Sequence, residues 1–150
     1  MGYKCYYRCV HCGGMNRVPS ERIQLAPSCG RCKEDLDTSG APMRLPDEEV
    51  ERLMEKVPVP LLLAFVAEGS EGSERLQGVL RRLGAEFTGT LMVLEIDAYR
   101  NAAKHEQFGI VSVPQLYLVK DRDIKARKQG FRTYEELKRL LDRHVNPYDV

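Results

Sequence analysis

Cys9-Val-His-Cys12 and Cys29-Gly-Arg-Cys32 place four thiols in two CxxC knuckles, sixteen residues apart. A two-residue gap lets both sulfurs of a knuckle face one ion at about 2.3 Å, and two knuckles close a tetrahedral shell with no open position. The pattern predicts one structural zinc held by Cys9, Cys12, Cys29 and Cys32, in a ribbon whose long gap accommodates a hairpin. All five cysteines lie within the first 32 residues. Such clustering points to a metal in a reducing compartment rather than to a disulfide framework. His11, inside the first knuckle, is expected to face solvent because four sulfurs already fill the shell. Cys5 is left over as a free thiol, with Lys4 and Arg8 nearby. Gly13, Gly14 and Gly30 are expected to relax the backbone at the knuckle turns. A segment this short cannot build a core alone, so metal binding would supply most of its folding free energy.

The other residues with chemical potential are Ser70 and Ser73, in the corner Gly69-Ser70-Glu71-Gly72-Ser73. A nucleophilic serine needs a positioned base, normally histidine. The chain has only His11, in the ribbon, His105, on the third helix, and His144, near the end of the last. The expected role is therefore structural: a serine capping a helix whose first turn carries Glu71 and Glu74, where negative charge suits the helix dipole.

What must position the corner is legible around it. Leu61 to Ala67 is a continuously apolar run bounded by Pro60 and Gly69, which predicts a strand buried on both faces. Leu76, Val79, Leu80 and Leu83 follow at helical spacing. Upstream, Pro46 with Asp47, Glu48 and Glu49 opens a helix carrying Val50, Leu53, Met54 and Val57 on one face. Downstream, Leu91 to Ile96 reads as a strand, Asn101 to Phe108 as a short helix stopped at Gly109, and Gln115 to Val119 with Ile124 to Lys128 as a hairpin. Thr133 and Glu136 form a capping box for a last helix with Leu137, Leu140, Leu141 and Val145 inward. Strands alternating with helices and ending in a hairpin and helix predict an α/β fold, a mixed sheet covered on both faces. The turn-rich stretch Asp37 to Pro42 divides the chain into a ribbon, 1–40, and an α/β domain, 41–150.

The formal net charge of +1 gives no general pull towards nucleic acid or an anionic membrane. The ribbon has six basic residues against Glu21, Glu34, Asp35 and Asp37, and Tyr3, Tyr6 and Tyr7 offer stacking surfaces, so nucleic-acid contact is a minor reading. The longest apolar run, Val57 to Ala67, is too short to span a bilayer, and the N-terminus lacks an apolar core with a cleavage site. These features predict a soluble, non-exported, cytoplasmic protein.

The block Phe65-Val-Ala-Glu68, the run Phe108-Gly-Ile-Val-Ser-Val-Pro-Gln115, the hairpin after it and Gly130 resemble a thioredoxin domain. The ribbon, with its two knuckles, the Asn16-Arg17-Val18-Pro19 turn and Arg22-Ile23, is similar to that of the zinc-ribbon bacterial thioredoxins known as thioredoxin 2. The resemblance covers nearly the whole chain and implies a thioredoxin fold, with a cis peptide bond at Val113-Pro114 beside the corner.

It also exposes departures. Where the family has Trp-Cys-Gly-Pro-Cys, this chain has Gly69-Ser70-Glu71-Gly72-Ser73. Disulfide exchange needs a thiolate, and an alcohol stays protonated at neutral pH. The family's buried aspartate aligns with Ala64, its lysine partner with Glu95, its helix-kinking proline with Gly78, and the hairpin-turn glycine with Arg122. The expectation is a redox-inactive protein-interaction or scaffold module with no small-molecule substrate. Its partner would dock over Gly69, Glu71, Gly72, Val113 and Pro114. The alternative is a disulfide reductase of the thioredoxin 2 type whose active-site cysteine pair was changed to serine.

Overall fold

The computed structural model describes residues 2–148. Two strands, β1 (Lys4–Arg8) and β2 (Met15–Pro19), pair antiparallel and lead into a 3-10 turn at Ser20–Leu25. Then follow α1 (Asp47–Glu55), β3 (Leu61–Val66), α2 (Glu71–Glu86), β4 (Met92–Asp97), α3 (Ala102–Phe108), β5 (Gln115–Lys120), β6 (Asp123–Gln129) and α4 (Tyr134–His144). The main sheet has the order β4-β3-β5-β6, with β3 parallel to β4 and antiparallel to β5, and β5 antiparallel to β6.

All six residues of β3 are buried, because helices cover both faces of the sheet. Leu62, Ala64 and Val66 pack with Leu76, Leu80 and Leu83 of α2 and Leu137, Leu140 and Leu141 of α4. Leu61, Leu63 and Phe65 face the other way, against Val50 and Leu53 of α1 and, in α3, Phe108. The expected elements are present, with ends displaced by a residue or so. Pro46 sits at the N-cap position of α1 rather than inside it. Val57 lies beyond the end of α1, yet still packs on the core from the following loop. Thr133 and Glu136 make both bonds of the capping box, and the Val113–Pro114 peptide is cis. Among the described residues no helix is long and apolar enough to cross a membrane.

The ribbon departs from expectation in where its hairpin lies. The strands flank the first knuckle instead of occupying the gap between knuckles. Cys9 to Gly14 is itself the chain reversal, closed by Cys9 N–H on Gly14 O at 2.8 Å and Gly13 N–H on Cys9 O at 2.9 Å. The gap holds β2 and the 3-10 turn. At the second knuckle the left-handed position is taken by Lys33, φ 69°, and not by Gly30.

The ribbon is packed onto the α/β domain. Tyr6 N–H donates to Gly89 O at 2.8 Å, the Tyr7 hydroxyl meets Thr88 Oγ1 at 3.0 Å, and Arg8 pairs with Glu49 at 3.4 Å. The connecting stretch is pinned as well: Gly40 and Gly84 touch backbone to backbone, and Met43 bridges the outer edge of β4.

Candidate functional site: a four-cysteine cluster and a serine corner

Each knuckle carries its two sulfurs on a tight turn, and docking the turns brings the four together. Cys9 Sγ lies 3.6 Å from Cys32 Sγ, Cys12 Sγ lies 3.6 Å from Cys29 Sγ, and all four fall within 4.8 Å of one another. A tetrahedron with Zn–S bonds of about 2.3 Å has edges of about 3.8 Å, so the donor set matches that ion in number, softness and spacing. Backbone N–H groups point inward: His11 on Cys9 Sγ, Gly14 on Cys12 Sγ and Arg31 on Cys29 Sγ, each at 3.4 Å. Asn16 donates to Gly14 O at 3.3 Å and to Cys29 Sγ at 3.4 Å and accepts from Gly30 N–H at 2.8 Å, tying the two knuckles together.

These contacts also set the acidity of the sulfurs. The N–H of Cys32, then Asn16, lowers the Cys29 thiol to about 5, and the N–H of Cys12 lowers Cys9. At Cys32 the N–H of Glu34 works the same way, but burial and the three neighbouring sulfurs outweigh it and push the thiol up to about 12. Holding all four sulfurs as thiolates would therefore take a cation among them. His11 is exposed, as expected of a residue outside the shell. Cys5 is fully buried where the ribbon meets Gly89, and burial, then Glu21, pushes its thiol up.

The corner lies between β3 and α2. Ser70 occupies the N-cap of α2 and its Oγ accepts from Ser73 N–H at 3.3 Å. Ser73, 2% exposed, accepts from Ala67 N–H at 3.1 Å. Gly69 has φ 82°, a left-handed conformation that favours glycine whatever the space around it. A Cβ on Gly72 would lie 2.9 Å from Pro114 Cδ, so the corner and the 111–114 loop meet there.

The two positions where the resemblance expects a carboxylate and a lysine carry Ala64 and Glu95 instead. Ala64 is fully buried among aliphatic side chains, and Glu95 is committed to Arg44 at 3.3 Å. Glu68, Glu71 and Glu74 rim the corner and are exposed. Val111 is 85% exposed beside them. Residues 111–113 form no backbone hydrogen bond among the described residues, whereas Pro114 O accepts Gly130 N–H at 2.8 Å.

Residues 42–143 match the family model described as Thioredoxin, and residues 8–34 match the one described as Thioredoxin 2, N-terminal, a zinc ribbon. The chain belongs to the thioredoxin family. Thioredoxin C-3 of Corynebacterium nephridii is 26% identical over 137 residues, covering 91% of this chain and 93% of the relative. A thioredoxin of Chlamydia muridarum is 36% identical over 85 residues, 56% of this chain and 81% of the relative. A solved mutant thioredoxin of Halobacterium salinarum has the same fold, with a TM-score of 0.66 at 21% identity over 73% of this chain and 96% of that one. Within this thioredoxin-family chain, the matched domain contains no cysteine at all. The ribbon tyrosines behind the minor nucleic-acid reading are partly covered. Tyr7 is buried, Tyr6 packs on the main core and Tyr3 stands edge-on to Tyr148 at 5.6 Å.

Proposed function

We propose that this chain is a redox-inactive thioredoxin-family protein acting as a protein-interaction or scaffold module in the cytoplasm. In this reading a ribbon, residues 1–40, holds one structural zinc through Cys9, Cys12, Cys29 and Cys32. The thioredoxin-like domain, residues 41–150, supplies the docking surface. The observation that carries it is the engagement of both corner serines in backbone contacts, with no thiol in the domain. Zinc, once bound, would supply cross-linking and no chemistry, since four sulfurs leave no coordination position open.

The docking surface is Gly69, Glu71, Gly72, Val113 and Pro114, with Val111 at its margin. The unpaired backbone of residues 111–113 suits an extended partner segment that hydrogen-bonds like an added strand, and the three glutamates around the corner favour a basic or polar one. The reading of a disulfide reductase with its cysteines replaced is disfavoured by Ala64 and by the Glu95–Arg44 pair, since changing two cysteines would leave both of those positions untouched.

The test is affinity capture from the native host with wild type, Glu71→Lys and Val111→Asp, both substitutions being at exposed positions. A partner held by wild type and lost by the variants supports the reading. A partner retained equally by all three places binding elsewhere. The sequence of the source gene separates the two histories: cysteine codons at 70 and 73 would identify a trapped reductase.

A further inference from the structure

Between β6 and α4 runs a groove of about 380 Å³ lined by Lys128, Arg132, Glu136, Arg139, Leu140 and Arg143, with Leu137 at its floor. Four cations thus face one carboxylate. Glu136 is already spent on the capping box with Thr133 and on Arg132 at 3.3 Å. Arg132 donates further to Gln129 O at 3.1 Å, and its Nε is buried with no partner among the described residues. Arg139 and Arg143 are exposed and form no ion pair among the described residues. From Lys120 to Arg143 nine Lys or Arg stand against five Asp or Glu, a formal +4 in a chain whose total is +1. The groove itself is therefore a basic surface.

The same side carries the open edge of the sheet, since β6 is an outermost strand. Gly130 N–H donates inward to Pro114 O, and the alternation of an antiparallel ladder then turns the backbone of Gln129 and Arg127 outward. The Gln129 carbonyl is taken by Arg132. Among the described residues, the Gln129 N–H and both backbone groups of Arg127 remain for a partner. An unpaired edge of this kind is a template for an added strand.

We propose that the β6 edge and the β6–α4 groove together dock an acidic, extended polypeptide segment. The segment would lie beside β6, and every second side chain would reach Lys128, Arg139 and Arg143 with its carboxylate. Single-stranded nucleic acid is the poorer occupant: the groove offers charge but no aromatic side chain on which bases could stack.

The experiment uses the full chain loaded with zinc and three labelled probes: a peptide alternating Glu and Thr, its Lys–Thr counterpart, and an oligothymidylate of equal length. Anisotropy should show the Glu peptide binding at least about tenfold more tightly than either other probe, weakening as salt is raised. Arg139→Glu with Arg143→Glu should weaken it by about tenfold or more, the far-ultraviolet spectrum being unchanged. Bound peptide should slow amide exchange at Arg127 and Gln129. Tighter binding of the oligonucleotide, equal affinity for the double variant, or unprotected amides at those two residues would each overturn the proposal.

Discussion

The hydroxyl of Ser73 accepts the backbone N–H of Ala67 at 3.1 Å in a position that is 2% exposed. Strand β3 ends one residue earlier, so this bond closes the strand end onto the first turn of α2. Ser73→Ala leaves a buried donor unpaired and should lower stability by about 1–3 kcal/mol. Ser70→Ala removes only the partly exposed cap, at about 1 kcal/mol. Urea unfolding of the two variants measures both. A Ser73→Ala protein as stable as wild type would mean that the Ala67 N–H finds another partner.

Insulin reduction with dithiothreitol as electron source should stay at background. The domain has no thiol, and Ala64 offers no carboxylate to move a proton. Turnover clearly above background, abolished by Cys5→Ser or by loading the ribbon with zinc, would trace activity to the N-terminal thiols and sink the redox-inactive reading.

Elemental analysis should find one zinc per chain. Removing it leaves Cys32 protonated and the knuckles without a cross-link, so the ribbon should unfold while the main sheet persists. Cys5 reports the change, because it is fully buried only while the ribbon sits on Gly89. Its alkylation should quicken by at least about tenfold on chelation, the equivalent of about 1.4 kcal/mol of lost protection. A stripped protein with Cys5 still unreactive would show that the ribbon folds without metal.

Arg122→Gly should stabilise the protein by about 1 kcal/mol. The turn joining β5 and β6 places Asp121 at φ 52° and Arg122 at φ 69°, the primed geometry that matches strand twist but strains side-chain-bearing residues. Thermal unfolding is the measurement. A lowered midpoint would reveal a contact of the Arg122 side chain that outweighs backbone relief.

Much of this protein was determined by sequence alone, wherever the cause is local. The two-residue gaps of the knuckles, the unbroken apolar run of β3, the helical spacing of Leu76, Leu80 and Leu83, and the Thr133–Glu136 box each act within a few residues, so pattern and outcome coincide. The serine cap was legible for the same reason. Tertiary structure decided what depends on distant neighbours. That Cys5 is a packing residue, that Tyr7 reaches Thr88, that Gly40 lies on Gly84 and that Ser73 serves Ala67 all follow from how the ribbon and α2 dock, which no local periodicity encodes. The basic groove belongs to the same class: its charges are scattered along β6 and α4 and become one surface only when the sheet edge and the last helix are laid side by side.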